Sequence, residues 1–323
     1  MKKILLLGGT MFVGRTLTEK LRNDARYDVT LFNRGKSNAG LFEDVKQLHG
    51  NRETEDIEKV ASQAWDVVID FSGYYPVTFQ QLLEKWKGKV GRYIFISTVS
   101  VYDFVRNGNA EITELSPVLF CTEEQKISKL PDAYGEKKAE MERLLLAQEG
   151  MDKIIFRPSF VSGRYDWTER FYYWIWRVQK GEPFIYPSLQ DYTTSITFGD
   201  DLANALYAAI EGQHSVQVYN AISVKHNKMV HFMETASRLL NKPLQMVRWT
   251  EEQVEKSGLN AGDFPLFTGG NMCADDHLFK ADFKFTPKAY EQEIQDMIDA
   301  AEQTGWPEPK PGLRWAKERS LLD

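Results

Sequence analysis

A glycine-rich turn set directly behind the first apolar run limits the folds open to this chain more than any other feature. Lys3 to Leu7 is a short apolar run ended by Gly8-Gly9. The turn Gly8-Gly9-Thr10-Met11-Phe12-Val13-Gly14 then leads into Thr16 to Arg22, where Leu17 and Leu21 carry helical spacing. Small residues allow a tight strand-to-helix turn, and the backbone N–H groups at the start of the helix then face an anion. In this context Gly8, Thr10, Met11, Phe12, Val13 and Gly14 read as the phosphate cradle of a dinucleotide site. A plain strand-to-helix turn is the alternative. Met11 occupies the middle position of either common glycine spacing, so its side chain either hinders the phosphates or is accommodated by a shifted turn.

The first half of the chain keeps the same alternation. Strands are expected at Asp28 to Asn33, Val45 to His49, Asp66 to Phe71, Gly91 to Ser97 and Lys153 to Arg157, the last stopped by Pro158. Helical stretches such as Phe79 to Lys87 lie between them, and another helix starts near Pro131-Asp132 and runs to about Gln148. Continuous apolar strands alternating with helices indicate an α/β fold, a Rossmann-like doubly wound parallel sheet covered on both faces. The loop from Asp103 to Asp132 is long for a compact domain, and loops of that length tend to be functional or ordered by a ligand.

Beyond Pro158 the composition shifts. Thr194 to Phe198 reads as a strand leading into a helix through Ile210, Val216 to Ala221 as another strand, and Val230 to Leu240 and Glu251 to Lys256 as helices. No repeat or low-complexity linker separates the halves. The expected organisation is therefore a dinucleotide-binding domain over 1–160, with return segments near 194–222, and a smaller interleaved C-terminal lobe over 161–323 that mainly binds substrate.

Composition narrows the functions. The chain has 323 residues, 42% hydrophobic and 27% charged, enough to bury a large core without disulfides. Two cysteines, Cys121 and Cys273, without a CxxC pair, and five scattered histidines argue for a reducing compartment and against a metal site. The net charge of -6 opposes electrostatic capture of nucleic acid. Met1-Lys2-Lys3 before an apolar run resembles a signal peptide, but the run is cut short by Gly8-Gly9 and reads better as a buried strand. No run approaches the length of a membrane span, so no membrane partner is expected and the cytoplasm is the expected compartment.

At the end of the second strand, an acid would hold the adenosine ribose hydroxyls. Asn33-Arg34 stands there instead, and a guanidinium suits a 2′-phosphate, which favours NADP over NAD. A solvated surface arginine is the alternative. Asn51, after the third strand, is placed to meet the adenine edge, and Phe71, Ser72 and Gly73, after the fourth, to line the dinucleotide. Tyr134 and Lys138 share one helical face with Met141 and Leu145. A tyrosine of pKa near 10 is a poor proton carrier at neutral pH, and a nearby ammonium favours its phenolate. Thr98, at the end of the fifth strand, can hydrogen-bond a substrate hydroxyl or carbonyl. In the aromatic stretch 164–177, Phe171, Trp174 and Ile175, with Val178 beyond it, follow core spacing. Arg164, Tyr165, Asp166 and Arg170 leave that face and line a polar pocket in one reading.

These residues resemble the extended short-chain dehydrogenase/reductase superfamily of the NAD(P)-dependent epimerase/dehydratase type. The matching segments are the 8–14 turn, Phe95-Ile96-Ser97-Thr98-Val99-Ser100-Val101-Tyr102, Tyr134 with Lys138, Arg157-Pro158-Ser159-Phe160-Val161-Ser162-Gly163 and Asp201-Leu202-Ala203. The resemblance implies Thr98 as the catalytic Ser/Thr, Tyr134 as the acid/base and Lys138 as the nicotinamide-ribose ligand. It also places the Pro158 to Val161 backbone beside the nicotinamide. Within the superfamily, the turn, Phe32-Asn33-Arg34-Gly35 and Arg164-Tyr165-Asp166-Trp167-Thr168-Glu169-Arg170-Phe171 look like the branch of bacterial isoflavone-reductase-like proteins and plant chloroplast stem-loop-binding proteins. Met11 in place of glycine and Asp103 after Val101-Tyr102 depart from the common pattern.

The expected function is an NAD(P)-dependent oxidoreductase or epimerase/dehydratase, with Tyr134, Lys138 and Thr98 moving a proton as hydride moves on a small hydroxyl- or carbonyl-bearing substrate. The resemblance suggests a sugar nucleotide and a homodimer. Tyr102, Arg164 and Arg170 are the substrate-side candidates. The alternative is a non-catalytic dinucleotide-sensing or RNA-associated binding protein on the same fold.

Overall fold

The computed structural model describes residues 1–108, 111–188 and 191–322. They divide into two compact units. Unit 1 comprises Met1–Ser159, Gly199–Ile222 and Ala274–Thr286, and unit 2 comprises Phe160–Phe198, Ser223–Cys273 and the chain from Pro287 onward.

In unit 1, β1 (Lys2–Leu7), α1 (Phe12–Leu21), β2 (Tyr27–Asn33) and β3 (Lys46–His49) precede α2 (Glu58–Ala61), β4 (Trp65–Asp70), α3 (Pro76–Lys85) and β5 (Val90–Ile96). The short helices α4 (Phe104–Asn107) and α5 (Glu123–Ile127) lead to α6 (Tyr134–Leu146) and β6 (Asp152–Pro158). Unit 2 then begins with β7 (Phe160–Ser162), α7 (Arg170–Lys180), β8 (Phe184–Pro187) and β9 (Thr194–Phe198). The chain returns to unit 1 for α8 (Gly199–Ala209) and β10 (Val218–Ala221). Unit 2 resumes with β11 (Val224–Asn227), α9 (Met229–Leu240), β12 (Met246–Trp249) and α10 (Glu251–Lys256). Of the last three helices, α11 (His277–Asp282) belongs to unit 1, while α12 (Tyr290–Gln303) and α13 (Trp315–Leu322) belong to unit 2.

Among the described residues, the strands of unit 1 form one parallel sheet of seven strands in the order β10-β6-β5-β4-β1-β2-β3. This is the doubly wound arrangement expected from the sequence. Ile4 to Leu7 of β1, Val68 and Ile69 of β4 and Tyr93 to Phe95 of β5 have no exposure at all, as continuous apolar strands covered on both faces require. Each such leucine or isoleucine contributes about 1.5–3 kcal/mol by leaving water. Strand order reverses between β1 and β4, so the crevice for a ligand opens at their carboxyl ends, where the glycine turn and Phe71-Ser72-Gly73 lie.

Several boundaries differ for local reasons. α3 begins at Pro76 rather than Phe79, because proline is well suited to the first helical position. α6 begins at Tyr134 rather than at Pro131 or Asp132, because Ala133 is left-handed with φ 48° and cannot extend the helix. The loop from Asp103 to Asp132 is not structureless: it holds α4, α5 with its Thr122/Gln125 capping box, and a bridge from Tyr102 to Val118. Residues 109 and 110 of that loop lie outside the described residues. Thr194–Phe198 is not a return segment of the first domain. It pairs with β7 and β11 inside unit 2, and only from Gly199 does the chain rejoin unit 1. Residues 274–286, which the sequence reading left in the C-terminal lobe, also belong to unit 1. There Phe279 and Phe283 pack on Phe156.

Unit 2 has its own core, built from Phe171, Trp174, Ile175 and Val178 of α7 against Phe232 and Met233 of α9 and Ile298 of α12. The helical spacing of those four α7 residues thus marks a core face. Among the described residues, no helix of either unit is long and apolar enough to cross a membrane.

The buried stripe of α6 is unusual in carrying charge. Lys138, Met141, Glu142 and Leu145 are all at most 2% exposed. Gly135 lets the first turn of this helix press on the segment after β5. A Cβ at Gly135 would stand 2.2 Å from the carbonyl oxygen of Ser100. Gly135→Ala is therefore expected to push the Tyr134 end of α6 away from Thr98-Val99-Ser100 and to destabilise the protein by about 1–3 kcal/mol, a cost typical of overpacking. Urea unfolding checks this; stability indistinguishable from the parent chain would contradict it.

Candidate active site

The glycine turn is built by residues whose conformations exclude most side chains. Gly8 and Gly9 have φ of 118° and 97°, and a Cβ on Gly9 would come 2.9 Å from Leu31 Cδ2. A Cβ on Gly14 would meet the Gly9 backbone at 3.0 Å, so close packing of turn on helix needs the third glycine. The Thr18 hydroxyl locks the loop by pairing with the carbonyls of Gly9 (2.9 Å) and Gly14 (2.8 Å). Asn38 Nδ2 ties down the Thr10 carbonyl at 2.7 Å. Met11 is the N-cap of α1 in extended conformation, φ −130°, so a side chain is accommodated there without backbone strain. The left-handed residue is Phe12 instead, at φ 45°. No side chain caps α1, which leaves its first-turn N–H groups for an anion, and Val13 and Gly14 are buried beneath the turn. These features fit a dinucleotide phosphate.

Around the crevice the expected cofactor residues differ in availability. Asn33 is engaged locally: its Oδ1 accepts the Gly35 N–H at 2.7 Å and its Nδ2 donates to Gln47 Oε1 at 3.1 Å. Arg34 is exposed beside it. Asn51 is exposed, and its side-chain oxygen accepts the Glu53 N–H at 3.1 Å. Phe71 and Ser72 are half-buried and Gly73 is buried. The Ser72 hydroxyl donates to the Leu7 carbonyl at 3.2 Å, so the turns after β1 and β4 are directly joined.

Lys138 is buried under this floor. Its Nζ donates to the carbonyls of Gly73 (3.0 Å) and Ile96 (2.6 Å) and lies 4.2 Å from the centre of the Phe95 ring. Burial lowers its pKa to about 7, against the opposing pull of Asp70 and Glu142. Tyr134, one turn earlier, opens α6 and is 45% exposed. Thr98 is nearly buried. Its Oγ1 accepts the Ser100 N–H at 3.1 Å and donates to Ser100 Oγ at 3.2 Å, capping the short turn Val99–Val101.

A set of residues that the sequence reading passed over lies between these groups. Arg52 Nη1 donates to Asp70 Oδ1 at 2.5 Å and to Ser72 Oγ at 3.0 Å. Asp70, fully buried, also accepts the Tyr93 hydroxyl at 2.7 Å and the Ser72 N–H at 2.9 Å. The signal was present as a carboxylate ending the run Asp66-Val67-Val68-Ile69-Asp70, where a buried strand seldom carries charge.

Tyr102, a substrate-side candidate, is withdrawn into the interior. It is 1% exposed, its hydroxyl donates to Asn220 Oδ1 at 2.6 Å, and Arg157 Nη1 donates to it at 2.8 Å. Arg157 also grips Glu142 of α6 with Nε at 3.0 Å and Nη2 at 2.5 Å, so Tyr102 braces a buried network instead of facing a pocket. Pro158 ends β6 and is buried. Val161, Arg164 and Arg170 fall in unit 2. Val161 is half-buried in β7, Arg164 is exposed with its guanidinium 4.6 Å from the centre of the Tyr165 ring, and Arg170 Nε donates to Thr168 Oγ1 at 3.1 Å.

Comparison with known proteins agrees with this geometry. Residues 4–224 match the NAD dependent epimerase/dehydratase family. A chloroplast stem-loop binding protein of 41 kDa b from Arabidopsis thaliana is 26% identical over 241 residues, which cover 70% of this chain and 60% of that relative. The UDP-glucuronic acid 4-epimerase from Bacillus cereus, solved in complex with NAD, superposes with a TM-score of 0.72 at 18% identity, covering 94% of this chain and 100% of that one. The UDP-N-acetylglucosamine 4-epimerase from Methanobrevibacter ruminantium M1, in complex with UDP-N-acetylmuramic acid, gives 0.72 at 17% identity, over 94% and 99% of the two chains. These structures share the fold with this protein. With the glycine turn, the parallel sheet and most of the chain length all accounted for, the chain belongs to the NAD dependent epimerase/dehydratase family.

Proposed function

We propose that this protein is an epimerase or oxidoreductase that uses Tyr134, Lys138 and Thr98 to move a proton at a hydroxyl- or carbonyl-bearing carbon of a small substrate, with a sugar nucleotide as the substrate class. The observation that carries this reading is the buried Lys138 amine held by two carbonyls, one helical turn after a half-exposed tyrosine that opens α6. The solved structures of similar fold that hold UDP-sugars or related UDP compounds support the substrate class.

A dinucleotide would be held by the N–H groups of the 10–14 turn at its phosphates, by Arg34 at the adenosine ribose and by Lys138 at the nicotinamide ribose. Bound there, the dinucleotide would supply hydride-transfer chemistry. The remaining chemistry belongs to the chain. Tyr134 Oη gives or takes the substrate proton, with the positive charge of Lys138 favouring its phenolate. Thr98 Oγ1, already oriented by the Ser100 N–H, can redirect its proton from Ser100 Oγ to a substrate oxygen. The second strand ends in Asn33-Arg34 and not in an acid, which supports NADP over NAD. The RNA-associated reading rests on Met11 and on the similarity to a chloroplast stem-loop binding protein, and the net charge of -6 opposes it.

Tyr134→Phe is expected to lower turnover of a UDP-sugar at least 100-fold while leaving dinucleotide affinity within about two-fold. Assays of activity and tryptophan fluorescence titrations decide this, and retained turnover would remove Tyr134 from the mechanism. Arg34→Glu is expected to weaken NADP by at least ten-fold and NAD by far less; equal losses would count against a 2′-phosphate contact. A third outcome concerns stability. Because the Lys138 pKa is depressed to about 7 in the folded chain, the unfolded chain binds the extra proton between there and its own value of about 10.4. Stability contributed at this position therefore rises with pH across that window, and the penalty is largest at pH 7 and below. Lys138→Met should be more stable than the parent at pH 7 in urea unfolding, with the gap closing toward pH 10. A constant gap would show that Lys138 is not titrating as described.

A further inference from the structure

We propose that Arg52 and Asp70 are a positioning pair for Lys138, fixing the turn that presents one of its two carbonyl partners and setting the charge around its ammonium. This rests on Lys138 being the cofactor-side cation of the site proposed above. The pair is an expensive thing to build. Both side chains are removed from water, 9% and 0% exposed, and a buried ion pair repays its desolvation only when its remaining hydrogen-bonding capacity is met. Here it is met in a way that defines the turn. Asp70 Oδ1 receives both Arg52 Nη1 and the Ser72 N–H, and Asp70 Oδ2 receives the Tyr93 hydroxyl. Arg52 Nη1 also reaches Ser72 Oγ at 3.0 Å, so cation and anion hold the same serine from two sides. The next residue, Gly73, is packed so tightly that a Cβ there would lie 2.9 Å from Phe95 and 3.2 Å from Asp70 Oδ2. Its carbonyl is thereby aimed at Lys138 Nζ, 3.0 Å away.

The charges around Lys138 come from every element packed on it. Asp70 of β4 and Glu142 of α6 favour the ammonium, and Arg52 of the loop after β3 disfavours it. The Tyr74 ring, from the loop after β4, has its centre 5.7 Å from Nζ, Tyr134 lies one turn back on α6, and β5 contributes the Phe95 ring and the Ile96 carbonyl. Glu142 is already gripped by Arg157 with two nitrogens. Asp70 is thus the carboxylate that Arg52 and Lys138 share, while Glu53 Oε1 lies 3.7 Å from Arg52 Nε on its other side. Removing either member of the pair must change the electrostatics at Lys138 with opposite sign, which a purely structural brace would not do.

The test is the pH dependence of dinucleotide binding, which requires no knowledge of the substrate. NAD and NADP are titrated against the full chain from pH 6 to pH 10 by tryptophan fluorescence. Affinity should fall as pH rises through the Lys138 titration, and Lys138→Met should abolish that dependence. Asp70→Asn should move the midpoint to lower pH by at least half a unit, Arg52→Met should move it to higher pH, and the double variant should return it toward the parent value. Midpoints that stay fixed, or that move the same way in both single variants, overturn the pairing. If Lys138→Met retains the parental pH dependence, the assignment of Lys138 fails instead, so the two failures are distinct. Should Asp70→Asn not fold by circular dichroism, Arg52→Lys and Arg52→Met decide: the lysine should keep the parental midpoint and the methionine raise it, and identical midpoints would reject the proposal.

Discussion

An ammonium buried at the carboxyl end of a parallel sheet must be surrounded by acceptors or give up its charge, and much of unit 1 is arranged around that requirement at Lys138. The carbonyls of Ile96 and Gly73 come from the end of β5 and from the turn after β4, so the lysine can be satisfied only if both strands finish at the right height. Strand register supplies that height, since Asp70 pairs with Leu7 on one side and Phe95 on the other. The same register brings the Ser72 hydroxyl to the Leu7 carbonyl and so ties the glycine turn to the floor beneath Lys138.

The second constraint is the charge carried on the buried stripe of α6. Glu142, one turn beyond Lys138, is held by Arg157 of β6, whose guanidinium also meets Tyr102. Tyr102 in turn reaches Asn220 of β10, and the Asn220 N–H donates to Glu114. α6 is therefore anchored by paired charges at Glu142 and by close backbone contact at Gly135. Both α1 and α6 start at or just after a non-glycine residue in left-handed conformation, Phe12 and Ala133. Such residues cost of order 1–3 kcal/mol and persist where the surrounding packing holds them. Here they lie at the glycine turn and directly before Tyr134.

Much of this was legible in the sequence. The alternation of apolar strands and helices, the glycine turn and the core spacing of Phe171, Trp174, Ile175 and Val178 are local patterns, and local patterns survive into the fold because burial selects them directly. Tyr134 and Lys138 were visible for the same reason, as helical neighbours whose context matched a known arrangement. Arg52, Asp70 and Gly135 escaped notice because their roles depend on contacts across the sheet: Arg52 and Asp70 are eighteen residues apart and meet only through strand pairing. The surroundings of Tyr102 were not legible either, because they are set by residues far from it in the chain. The distant residues Arg157 and Asn220 take its hydroxyl into the interior.

The sequence by itself determined the class of fold, the place of the glycine turn behind β1 and the shared helical face of Tyr134 and Lys138. Each of these is written in residues close together in the chain, where periodicity and turn chemistry act. Tertiary structure alone decided how Lys138 is buried with its Nζ donating to two carbonyls, that Met11 sits in an extended cap without strain, and that Thr194–Phe198 builds unit 2 while residues 274–286 return to unit 1. Those outcomes depend on which distant backbone and charged groups share a low-dielectric space, and pairwise burial of that kind leaves no periodic mark on the chain.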